Sequence, residues 1–161
     1  MNGREYECAK QTTGWTGAKT LAMFTVPSGK LIYLMSSAIS NPDEDTNEQT
    51  YAHWRRIAYA YSAVGTSIVS SDVHRVSDDE AESTLTANAG AIKVFLSTEP
   101  ANYDPAHGNG EGMRGFPTLS GWDIQQPIIM LSGEIWGLYM GAVGTAFDPI
   151  LSLRWRERGT S

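Results

Sequence analysis

The chain has 161 residues, with 12 Lys and Arg against 18 Asp and Glu and a net charge of −6. That length fits one domain able to bury roughly 70% of the surface its unfolded form exposes, while the acidic balance argues against nonspecific binding to nucleic acid or an anionic membrane. The lone cysteine, Cys8, excludes an intramolecular disulfide and a four-cysteine zinc site, and asks for no oxidising compartment. Met1-Asn2-Gly3-Arg4-Glu5 lacks the apolar run of a signal peptide, so synthesis and folding in a cytoplasm are expected. No linker or composition shift divides the chain. Residues 1–161 are read as one β-sandwich domain, with 1–19 as an N-terminal arm.

Strand-like runs follow one another at Glu5–Lys10, Thr20–Val26, Lys30–Ser40, Gln49–Tyr61, Ala91–Leu96, Pro127–Leu131, Glu134–Ala142 and Ile150–Glu157, with no convincing helix. One corner is written twice, around Ser28-Gly29 and again around Ser132-Gly133, each time as strand, tight turn, strand. Gln49–Tyr61 obeys period two. Tyr51, His53, Arg55, Ile57, Tyr59 and Tyr61 fall on one face, with mostly small residues around Trp54 and Arg56 on the other. Such crowding suits a face covered by another chain or a loop, which points to oligomerisation. Long connections lie between the runs. Asn41–Glu48 is acidic, Ser70–Ala89 is polar with the cluster Asp78-Asp79-Glu80-Ala81-Glu82, and Thr98–Thr118 is rich in Gly and Pro.

Pro127 to Phe147 contains Glu134 as its one charge and is about as long as a transmembrane helix. Four glycines and the Ser132-Gly133 turn interrupt it, so two buried strands are expected instead of a span. Gly110-Glu111-Gly112-Met113-Arg114-Gly115 matches a dinucleotide-binding pattern in letters only, because it follows Asp104-Pro105-Ala106-His107 and runs into Phe116-Pro117 rather than joining a strand to a helix. His53, His74 and His107 have no ligand spacing, and no strained Gly-x-Ser-x-Gly elbow accompanies them. Asn41, Asp43, Asp45 and Asn47 alternate as calcium ligands do, but lack the glycine and distal glutamate of a helix-flanked loop. No catalytic residue, metal or cofactor is expected.

Five tryptophans raise the alternative of a sugar platform. Trp136 and Trp155 lie in strands and are expected to pack. Trp15 and Trp122 lie near turns, where exposure is expected, and with Tyr103 they would form the binding surface of a lectin-like module on a phage tail or fibre.

Val26-Pro27-Ser28-Gly29-Lys30 leading into a strand, Trp54-Arg55-Arg56, a polar middle, Gly121-Trp122, Gln126-Pro127-Ile128-Ile129-Met130, the second Ser-Gly turn and the closing Leu151-Ser152-Leu153-Arg154-Trp155-Arg156-Glu157 come in an order that carries a resemblance. The chain resembles small tailed-bacteriophage virion proteins with a jelly-roll-like β-sandwich, of the head decoration or auxiliary capsid type. Arg156 and Arg158, on either side of Glu157, depart from the acidic ending of that group. The resemblance implies a non-enzymatic protein that binds and stabilises or decorates the capsid shell, in a virion assembled in a host cytoplasm. Its partners would be the major capsid protein or other virion proteins and copies of itself, with a trimer as the first guess. The fold expected on both grounds is an all-β, antiparallel two-sheet sandwich with long loops. Contacts are assigned to Tyr51, Arg55 and Tyr59 on the crowded strand and to Tyr103 and Phe116 at the ends of the Gly-rich loop, since Tyr and Arg are enriched where binding energy concentrates.

Overall fold

A computed structural model describes residues 3–15, 19–40, 52–57, 65–76, 83–87, 92–95, 127–140, 146 and 148–160, with the backbone alone described at 19, 52, 53, 87 and 140. The repeated Ser-Gly corner organises it. β2 (Lys19–Thr25) leads through the first corner into β3 (Lys30–Ser40), and β8 (Ile128–Met130) leads through the second into β9 (Ile135–Met140). Neither corner is a hairpin. β3 and β8 belong to one sheet and β2 and β9 to the other, so each corner carries the chain across the sandwich.

The two corners lie side by side. The Val26 N–H donates to the Glu134 carbonyl at 2.9 Å, the Gly133 N–H to the Val26 carbonyl at 3.0 Å, and the Gly29 N–H to Ser132 Oγ at 3.0 Å. Gly29 and Gly133 sit at φ 72° and 80°, where a Cβ would be strained. The flanking strands pair antiparallel on both sides of the fold, Thr25 opposite Ile135 in one sheet and Ile32 opposite Met130 in the other.

The first sheet runs β6 (Val73–Arg75), β1 (Arg4–Gln11), β10 (Ile150–Gly159), β3, β8. The second runs β4 (Ala52–Ile57), β9, β2, β7 (Ile92–Val94), β5 (Thr66–Ser67). Every described pairing is antiparallel. First strand beside last, and second beside next-to-last, is the nesting of a jelly-roll-like sandwich. β1 takes residues assigned to an arm and pairs them along its whole length with β10, from Arg4 opposite Glu157 to Gln11 opposite Ile150.

Aromatic rings join the layers. The Phe24 ring of the second sheet lies 5.6 Å from Trp54 and 6.0 Å from Trp155 of the first, and Trp155 stacks on Tyr6 at 5.9 Å. All four are essentially fully buried and share one apolar cluster with Leu34, Ile92, Leu138 and Leu153. Trp136 and Trp155 pack as their strand positions imply.

All eight sequence runs contain a strand. The described part of Gln49–Tyr61 is Ala52–Ile57, and Pro127–Phe147 supplies β8 and β9. The polar connection Ser70–Ala89 holds more structure than its composition suggests: a 3₁₀ turn at Ser70–Asp72, the edge strand β6, and a four-residue helix, α1 (Thr84–Ala87). The acidic cluster 78–82 and the candidate calcium ligands at 41–47 lie outside the described residues.

Candidate functional site

Strand alternation turns Tyr6 and Cys8 of β1, and Leu151, Leu153, Trp155 and Glu157 of β10, into the sandwich. Outward go Glu5, Glu7 and Ala9 of β1 and Ser152, Arg154, Arg156 and Arg158 of β10. A β-bulge in β3 adds to this face: Arg154 lies opposite Ser36 but Trp155 opposite Leu34, leaving Met35 as the extra residue. Ser36 is thereby set outward beside Arg154, and Ser37 is buried.

Three rows result. His74, Glu7, Arg154 and Ser36 cross four strands in register, Ala9, Ser152 and Ala38 form the next row, and Glu5, Arg156, Tyr33 and Ile129 lie on the other side. Small side chains in the middle and long ones around them hollow the sheet face into a groove of about 470 Å³, lined by Ala9, Ser36, Ser152, Glu7, His74 and Arg154 among others. Asp72 closes one end, held by Lys10 at 2.6 Å and by the Val69 N–H at 3.0 Å. Burial raises the Asp72 pKa, but these two partners outweigh it and hold the group below its ordinary value.

Glu5 is gripped by two arginines. Arg154 donates to one carboxylate oxygen at 2.7 Å and Arg156 to the other, and together they hold Glu5 below the ordinary carboxylate range. Toward the edge the face turns apolar, with Tyr33 half-buried, Ile129 52% exposed and Leu131 50% exposed. Burial, and next the Asp72 charge, push the thiol of Cys8 under the groove up to about 12, which disfavours the nucleophilic thiolate at neutral pH.

The outer face of the second sheet is different. Arg55 lies 5.6 Å over the Tyr139 ring, and around it Met23, Ile57 and Ile135 are buried within the single chain. A Cβ added to Gly137 would meet Ile57 Cδ1 at 2.9 Å, which shows how closely that face is covered. Of the contact residues read from the sequence, Arg55 is half-buried on this face, while Tyr51, Tyr59, Tyr103 and Phe116 lie outside the described residues, as do Trp122, His107 and residues 110–115. Trp15 corrects an expectation. It is 5% exposed and packs edge-on against Phe95 at 6.0 Å, so it is a core residue instead of an open sugar platform. His74 is exposed on β6.

Two buried or half-buried carboxylates were not singled out in the sequence, and each binds a tryptophan two residues away. Glu157 accepts from Trp155 Nε1 at 3.1 Å, from the Ser83 hydroxyl, and from the Thr84 N–H and hydroxyl at 2.9 and 2.8 Å, docking α1 onto β10. Glu134 accepts from Trp136 Nε1 at 2.9 Å, the Leu131 N–H at 2.8 Å and Arg56 at 2.8 Å, locking the second corner. A Glu two residues from a Trp in a strand shares its face, and that spacing is the signal that finds both.

Comparison of the chain with protein families, with curated proteins and with solved structures gives no match. Among the described residues no group of His, Cys, Asp and Glu is arranged to hold a metal ion, and no helix is long and apolar enough to cross a membrane.

Proposed function

We propose that this chain is a structural protein of a tailed-bacteriophage virion that binds the capsid shell and stabilises or decorates it, working as a homo-oligomer with the major capsid protein or other virion proteins as partners. The observation that carries this reading is the jelly-roll-like nesting of strands, an architecture used by viral shell domains, together with a sheet face left open to solvent. No reactive group is needed. Binding comes from burying apolar and aromatic surface across subunit joints, shared among many weak and symmetric contacts. Tyr33 and the arginines of β10 are of the residue types in which interface energy concentrates, and Ile129 and Leu131 add exposed apolar surface beside them.

The lectin-like alternative draws on the same architecture, which also serves sugar-binding domains. The burial of Trp15 removes one of its three aromatics. Density-gradient fractionation of virus particles made in cells expressing the chain separates the readings. Co-migration with particles in a fixed ratio to the shell protein is expected. A chain found wholly in the soluble fraction, or saturable quenching of its tryptophan fluorescence on a glycan titration, would overturn the proposal.

A further inference from the structure

We draw no further inference here: the strongest candidate, the groove of about 470 Å³ on the outer face of the first sheet, lined by Glu7, Ser36, His74, Ser152 and Arg154 among others, carries none, because its arginine and its aspartate are already paired within the chain, Arg154 with Glu5 and Asp72 with Lys10, and nothing in the structure shows what covers it.

Discussion

Glu5 and Glu157 sit on neighbouring strands but do different work: one is a partly solvated carboxylate gripping arginines, the other a buried one gripping a helix end. The arginines lower the folded-state pKa of Glu5, whereas in the unfolded chain it titrates near its usual value of about 4.3. A depressed folded pKa gives stability that is fully present above the unfolded value and is lost as pH falls through the folded one. Glu5→Gln is therefore expected to be less stable than wild type at neutral pH, by about 1 kcal/mol or less because solvent screens the pair. Urea titrations should show the gap closing below about pH 4, and a gap that persists unchanged into strong acid would refute the assignment. Glu157 is a packing matter. Its carboxylate, 6% exposed, is the acceptor for Ser83, Thr84 and Trp155, so Glu157→Gln presents an amide to donors that then lose their partner. A loss of about 2–4 kcal/mol is expected from buried unsatisfied groups, read as a lower urea midpoint. Ser83→Ala removes one donor and leaves Glu157 three others, but it also takes the acceptor from the Leu85 N–H at 3.2 Å, and should cost about 1–2 kcal/mol.

The corners are elements whose sequence announces the turn but not its destination. At Gly133, φ 80° is reached without a Cβ, and nothing lies within 4 Å of where one would sit. Gly133→Ala is therefore expected to cost about 1–2 kcal/mol through backbone strain alone, with the urea midpoint lowered and the slope unchanged. A neutral substitution would mean that the corner relaxes. Ser-Gly between β-branched and aromatic flanks makes both turns legible, and period two marks the run that holds β4. What stayed hidden was partner choice, because a local turn signal is the same whether the following strand pairs back or crosses to the opposite sheet. The bulge at Met35 was hidden for a related reason. Leu31-Ile32-Tyr33-Leu34-Met35 is apolar throughout, so its letters do not show that inward positions shift from Ile32 and Leu34 to Ser37 and Ile39. That one-residue shift sets Ser36 in the groove, so the open face was not readable without the register. Short elements such as β6 and α1 exist through tertiary partners, Glu7 and Cys8 of β1 for one and the Glu157 carboxylate for the other, and carry little signal of their own.

At the scale of the molecule, pairing β1 with β10 joins residues 4–11 to 150–157, so the first sheet closes only when both ends of the chain are in place. Slow folding follows from such nonlocal pairing, and it leaves the incompletely folded chain exposed to aggregation for longer. Charge helps here. At neutral pH the total of −6 keeps copies apart, and salt weakens that repulsion. Lowering the pH toward the isoelectric point near 5.0 removes the net repulsion. The free protein is therefore expected to stay soluble at neutral pH and to associate more readily near pH 5, seen as a rise in static light scattering. Arg154→Glu with Arg158→Glu lowers the isoelectric point, so its scattering maximum should move to lower pH. If instead scattering stays flat from neutral to about pH 5, or peaks at the same pH in both proteins, net charge does not govern association and specific surface contacts must do so alone.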